Sequence, residues 1–248
     1  MNRAGRILEE IQWLAANPEG LNREFNPLGN SHCVMSGRAS GSRELLARTH
    51  HLRQVHGCAV VNTSPATAPG VAFEDRPAAD GIYTTDRDVW VAVKTADCLP
   101  LIVVGRKGPF VAAVHAGWRG LAAGIIPEVV RVHQTLGGQA SDLQVLIGAA
   151  IGHANYEVGP EVIAALATGA SGCPEHTVGL GFVRGNGTRW HVDLQLIAAL
   201  ALVELGVPGS QITIVRSCTF ADANIWNSYR RDGAGHGSNV LAAALKPV

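Results

Sequence analysis

Cys98 and His115 are the two residues of this chain whose types and spacing best suit joint chemistry. Cys98 lies in Lys94-Thr95-Ala96-Asp97-Cys98-Leu99-Pro100, and His115 opens His115-Ala116-Gly117-Trp118-Arg119-Gly120. Between them are two apolar, β-branched runs, 99–104 and 110–114, joined by Gly105-Arg106-Lys107-Gly108-Pro109. Runs of this kind, broken by a short Gly/Pro connection, predict a hairpin. A turn centred near Lys107 brings Cys98 and His115 to within about one position of facing each other, at the open end of the hairpin. A thiol and an imidazole held there are either half of a zinc site or a nucleophile–base pair.

His56, in Gln54-Val55-His56-Gly57, is a third candidate ligand. All three residues fall at strand–loop junctions, where side chains converge at one end of a sheet. Three Cys/His ligands leave a fourth position open, the arrangement of catalytic rather than structural zinc. Each has a plainer reading as well. A lone Cys is most often a small buried hydrophobe, and sequence spacing alone does not carry His56 to the other two.

The charged residues around these motifs divide in the same way. Arg119, beside Trp118 at a helix start, can hold an anion with the exposed N–H groups of the first turn, or be a solvated Arg on a packed indole. Asp80, in Asp80-Gly81, can orient a metal ligand or make an ordinary turn; Asp97, next to Cys98, is assigned the same supporting role. Tyr156-Glu157 can line a pocket or begin a helix. Arg230-Arg231-Asp232, after Tyr229, is a phosphate or nucleobase contact or a solvated charge run. Arg38 is a weaker cationic candidate. Gly233-Ala234-Gly235-His236-Gly237 has no strand directly before it and so does not make a dinucleotide loop.

The elements that must position these groups can be read along the chain. An amphipathic helix is expected over 1–17, with Ile7, Leu8, Ile11 and Leu14 on one face. Residues 18–42 read as connection with one short strand, and 64–79 as a long loop holding three prolines. Strands are expected at 59–62, 81–84, 89–93, 99–104, 110–114, 143–147 and 212–216. A helix over 120–136 should end at Gly137-Gly138, with Pro127 kinking it or marking a late start. Helices are also expected at 160–167, at 194–205 behind an Asp193 N-cap, and at 238–245.

Composition sets the frame. The 248 residues are 47% hydrophobic, 16% charged and contain 29 Gly, which fits one α/β or α+β unit able to bury a sizeable core. Twenty basic residues balance twenty acidic ones, so the charge gives no reason to expect nucleic acid as a partner. The longest apolar run, 196–203, is far short of the roughly 18 residues a membrane span needs. Five scattered Cys without a CxxC point to a reducing compartment, and a cytoplasmic location is expected.

Taken in order, Gln54-Val55-His56-Gly57, Ala79-Asp80-Gly81, Thr95-Ala96-Asp97-Cys98-Leu99-Pro100, His115–Gly120, Tyr156-Glu157-Val158-Gly159, Asp193-Leu194, Cys218-Thr219 and Ser228-Tyr229-Arg230-Arg231-Asp232 resemble the YfiH-like family. That family is also called the laccase-domain or multicopper polyphenol oxidase family. The resemblance covers 54–248 and leaves 1–53 as a divergent segment of a single domain. It implies an α/β (α+β) fold of mixed β-sheets layered with flanking helices, related to the catalytic domain of cytotoxic necrotizing factor. It implies a zinc site of His56, Cys98 and His115; beside it, Cys98, His115 and Arg230 are the candidate catalytic residues, and Arg119, Tyr156, Arg230 and Arg38 the candidate substrate contacts. The implied substrates are purine nucleosides with phosphate: adenosine deamination, or phosphorolysis of adenosine, inosine or methylthioadenosine.

One zinc ion per chain suits a mixed Cys/His site with an open position better than copper does. Multicopper oxidation needs many His ligands, and only two of the family motifs carry a His here. The alternatives are a metal-free cysteine hydrolase using Cys98 and His115, an editing enzyme for peptidoglycan precursors, a copper oxidase, and a non-catalytic zinc-stabilised protein. The chain departs from the family pattern at Ser36-Gly37-Arg38, at His153-Ala154-Asn155, and at Ala234-Gly235-His236, where Thr-Gly-Arg is usual.

Overall fold

The computed structural model describes residues 9–15, 31–38, 42–64, 69, 71–167 and 179–247. Its elements run β1 (Gln12–Ala15), β2 (Ser31–Ser36), α1 (Ser42–Ala47), β3 (His50–His51), β4 (Val60–Asn62), β5 (Gly81–Thr84), β6 (Val91–Thr95), β7 (Leu99–Gly105) and β8 (Val111–Ala116). Then come α2 (Trp118–Ala122), α3 (Ile125–Thr135), β9 (Leu143–Ile147), β10 (Glu157–Val158), α4 (Pro160–Ala167), β11 (Phe182–Arg184) and β12 (Trp190–Val192). The last are α5 (Leu194–Glu204), β13 (Ile212–Arg216), α6 (Tyr229–Asp232) and β14 (Asn239–Leu245).

The hairpin β7–β8 is the centre of a seven-stranded mixed sheet ordered β1-β13-β9-β7-β8-β5-β4. Every residue of both strands is buried, so both faces of the sheet are covered. Alternation along the strands decides what covers each face. Leu101, Val103, Ala112 and Val114 point to the side packed by α3 and α5. Ile102, Val104, Val111 and Ala113 point the other way, onto Val91, Val93, Leu241 and Ala243 of a second, four-stranded sheet. That sheet is ordered β2-β14-β6-β3, and α1 packs on its outer side through Leu45 and Leu46. A small antiparallel sheet, β10-β12-β11, adjoins the helical side. The fold is thus a mixed α/β arrangement of layered sheets and helices. Among the described residues no helix is long and apolar enough to cross a membrane.

The structure departs from the sequence expectations in three places. Residues 12–15, expected inside an amphipathic helix, form β1 in parallel register with β13; most of the remaining 1–17 lies outside the described residues. The 120–136 helix is two helices, because Gly124 adopts φ 90° and breaks the hydrogen-bond ladder. Pro127 then falls in the first turn of α3, where its missing N–H has no intrahelical partner to lose. Residues 239–245, expected as a helix, form the strand β14, fully buried between β2 and β6. A short apolar run rich in Ala carries no periodicity to separate a doubly buried strand from a buried helix. Pairing on both edges outweighs the helix preference of Ala.

His133, in the last turn of α3, illustrates how tightly the helical face is filled. It is 3% exposed, lies 4.8 Å from the Phe110 ring centroid, and would be met at 2.0 Å by a Cβ on Gly138. Among the described residues neither ring nitrogen has a hydrogen-bond partner. Burial lowers its pKa, with the Asp142 carboxylate opposing. The unfolded chain therefore takes up a proton that the folded one refuses, and stability falls as pH drops below about 6.5. We expect up to about 1.4 kcal/mol lost per pH unit from this residue. In urea unfolding between about pH 7.5 and about 5.5, His133→Leu should lose that part of the slope; equal slopes in variant and parent would refute it.

Candidate functional site

The pleat that sorts the core also builds the site. The observed register pairs Pro100 with His115 and Leu99 with Ala116, so Cys98 lies opposite Gly117 and diagonal to His115. Cys98, Pro100, Ile102 and His115, Ala113, Val111 share the face turned to the second sheet. The hairpin axis falls between Lys107 and Gly108, half a residue from the expected Lys107. Gly117 leaves the room the thiol needs: a Cβ there would stand 2.9 Å from Cys98 Sγ and 3.3 Å from His56 Cδ2.

His56 reaches the same point from the loop before β4. It adopts φ 61°, and its ring meets that of His115 edge-on at 4.9 Å between centroids. The ligand atoms of His56, Cys98 and His115 lie within 4.8 Å of one another, somewhat wider than the roughly 4 Å that a closed zinc site suggests.

Asp80 holds this cluster together. Its carboxylate is 0% exposed and accepts the backbone N–H of Val55 (3.2 Å), His56 (2.9 Å) and Gly57 (2.6 Å). It also meets His115 Nδ1 at 2.7 Å, and its carbonyl accepts the His115 N–H at 2.7 Å. A carboxylate on Nδ1 holds a proton there, so that Nε2 is the nitrogen left to bind a metal once it gives up its own proton, the arrangement seen around metal-bound His.

Burial works against charge on these groups, yet their mutual contacts win. Burial lifts the Cys98 thiol, but hydrogen bonds and charge from His115 and His56 bring it down to about 7. Burial depresses His115, but Asp80 and Cys98 raise it to about 9. Asp80 is held below the usual carboxylate range against its own burial by His115 and the Gly57 N–H. A ready thiolate, two imidazoles and a carboxylate orienting one of them make a donor set that fits a zinc-like ion.

The cluster lies in the wall of a cavity of about 550 Å³. Arg119 and Arg230 both line it, and each lies over an aromatic ring: Arg119 over Trp118 at 4.3 Å and Arg230 over Tyr156 at 5.4 Å. Arg230 also donates to the Glu157 carbonyl at 3.1 Å. Asp97 lines the cavity but touches none of the three candidate ligands through its carboxylate. Its oxygens accept from Thr219 Oγ1 at 2.6 Å and the Arg230 N–H at 2.7 Å, so it fixes the loop that presents Arg230. Its φ of 87°, unusual for a residue with a Cβ, turns the chain into Cys98. Arg38 is drawn elsewhere: it pairs with Asp232 and does not line the cavity.

Lys94, Phe73 and Tyr229 line the cavity too, and sequence reading did not single them out as site residues; His236, which stands where the family usually has Arg, also lines it. A signal existed for Lys94, a lone charge in the otherwise apolar strand 91–94. Phe73, in a proline-rich loop, gave none.

With this geometry in view, the chain's relatives can be placed. The family described as multi-copper polyphenol oxidoreductase laccase matches residues 15–246, and the chain belongs to it. Among its curated relatives is a protein of Pseudomonas aeruginosa named as a purine nucleoside phosphorylase, 36% identical over 80% of this chain and 75% of its own length. Another of that name, from Xylella fastidiosa, is 34% identical over 74% of this chain and 67% of its own. The crystal structure of YlmD from Geobacillus stearothermophilus superposes with a TM-score of 0.82 at 25% identity, covering 91% of this chain and 97% of that one. The Bacillus licheniformis protein YfiH superposes with a TM-score of 0.75 at 27% identity, over 81% and 75%.

Proposed function

We propose that this protein is a zinc-dependent enzyme acting on purine nucleosides, by phosphorolysis of adenosine, inosine or methylthioadenosine, by deamination of adenosine, or both. The observation that carries the proposal is the convergence of His56, Cys98 and His115 on a cavity also lined by Arg119 and Arg230. The names of its relatives supply the purine. Zinc held by the three residues supplies a Lewis acid with an open coordination position.

The chain's own residues do the rest. Asp80 keeps the proton on His115 Nδ1 and so points Nε2 into the site. Asp97 fixes the Arg230 backbone, and Arg230 with Arg119 brings positive charge against a phosphate or a ribose hydroxyl. Tyr156 and Trp118 offer apolar faces to the sugar and base. Among the described residues three cations and a single carboxylate line the cavity, and that carboxylate is already engaged. This balance favours an anionic co-substrate over a phenol. Among the described residues one His/Cys/Asp/Glu group could hold a metal, far fewer ligands than multicopper oxidation needs.

The test is to incubate the purified protein with adenosine and inosine, with and without phosphate, and to separate the products by chromatography. Free base that appears only with phosphate, or inosine from adenosine, is expected. A zinc-loaded protein that releases neither would refute the proposal.

A second reading has its own observation. Cys98, His115 and Asp80 stand in the order of a nucleophile, base and orienting acid, with Cys98 lowered to about 7. This supports a cysteine hydrolase if the purified protein carries no metal.

A further inference from the structure

Lys94 is a charged residue of the cavity wall that belongs neither to the metal cluster nor to the arginines. Its backbone is locked on one edge by a side chain acting as a strand: Gln54 Nε2 donates to the Lys94 carbonyl at 2.7 Å, and Gln54 Oε1 accepts the Lys94 N–H at 2.9 Å. On the other edge Lys94 pairs with Val240 of β14. Lys94, Ala96 and Ser238 all line the cavity. The ammonium is half-buried and makes no ion pair with any described carboxylate.

Its surroundings add positive charge. Burial lowers the Lys94 pKa, and the nearby Arg76 guanidinium lowers it further. Arg76 lies 5.8 Å from the centre of the Phe73 ring, which forms part of the same cavity wall and is 50% exposed. Arg119 and Arg230 act instead on Tyr156, which also feels the charge of Cys98. The cavity wall therefore carries a third cation at Lys94, with the Arg76 guanidinium near it.

We infer that Lys94 holds a phosphate group in this cavity, carried either by inorganic phosphate or by the 5′ position of a purine nucleotide. A half-buried ammonium without a counter-ion gains most from a ligand dianion, since an unpaired charge retains its desolvation penalty. Ser238 lines the same cavity and can add a neutral donor. The inference rests on the nucleoside reading for the rest of the ligand, but not for the anion.

The experiment is equilibrium binding of three probes, inorganic phosphate, adenosine 5′-monophosphate and adenosine, to the purified protein and to Lys94→Met and Lys94→Arg. Lys94→Met should weaken a phosphate-bearing probe by about tenfold or more, as expected for a lost charge-assisted contact. Lys94→Arg should stay within about threefold of the parent, because the charge is kept. A change for inorganic phosphate assigns Lys94 to the co-substrate. A change for the nucleotide alone assigns it to a 5′-phosphate. If Lys94→Met binds both probes as tightly as the parent, or the parent binds neither, the inference is wrong. If adenosine fails to bind while phosphate binding depends on Lys94, the nucleoside reading falls and this one stands.

Discussion

Asp80→Asn is expected to cost this protein both stability and its metal. Both carboxylate oxygens face only donors: one meets His115 Nδ1 and the His56 N–H, the other the N–H groups of Val55 and Gly57. An amide turned either way places its NH₂ against one of these pairs. The site is fully buried, so the mismatch and the lost charge should cost about 3 kcal/mol or more in urea unfolding. If the NH₂ faces His115, the Nδ1 proton is no longer favoured, and Nε2 ceases to be the nitrogen left to bind a metal. Metal affinity should fall by about 10- to 100-fold in a competition with a chromophoric chelator. A variant with parental stability and parental metal affinity would show that Asp80 does not organise the cluster.

The second large effect is expected at Cys98. Cys98→Ala removes the thiolate donor from the His56–His115 pair, and turnover of nucleoside should drop at least about a thousandfold. On the proposed zinc reading, the parent should purify with about one zinc ion per chain and the variant with a small fraction of that. Alkylation of the parent separates the two chemistries proposed for the thiol. In the metal reading Cys98 resists iodoacetamide until a chelator is added. Stoichiometric labelling without chelator, in an active metal-free protein, would transfer the function to the cysteine–histidine pair.

How far such a site can be read from sequence depends on how local its contacts are. The β7–β8 hairpin was legible because two β-branched runs flank a Gly/Pro connection, and it brings Cys98 and His115 to one end. Its register differed slightly because the turn spans residues 106–109, and only geometry places the axis. The approach of His56 was legible only through family motifs. Physically it depends on Asp80, whose bonds to the 55–57 backbone cross a long stretch of sequence. Asp97 looked like a support for Cys98 because it is next in sequence, yet its side chain serves Thr219 and Arg230. Arg38 carried the right charge but has a closer partner in Asp232. The strands β1 and β14 were hidden for another reason: their short apolar sequences become strands through edges supplied by distant segments.

The position of β14 has a consequence for how the protein is made. It is the last strand in sequence, yet it lies between β2 and β6 and contributes Leu241, Ala243 and Leu245 to the layer against the hairpin. While residues 1–230 are emerging from a ribosome, β2 and β6 have no strand between them, and their unpaired edges and apolar faces stay open to other chains. The candidate ligands have all been synthesised well before that point, but the sheet that closes over them has not. Acquisition of the site is therefore tied to the synthesis and insertion of β14, and a nascent chain that still lacks it exposes the edges most open to mispairing.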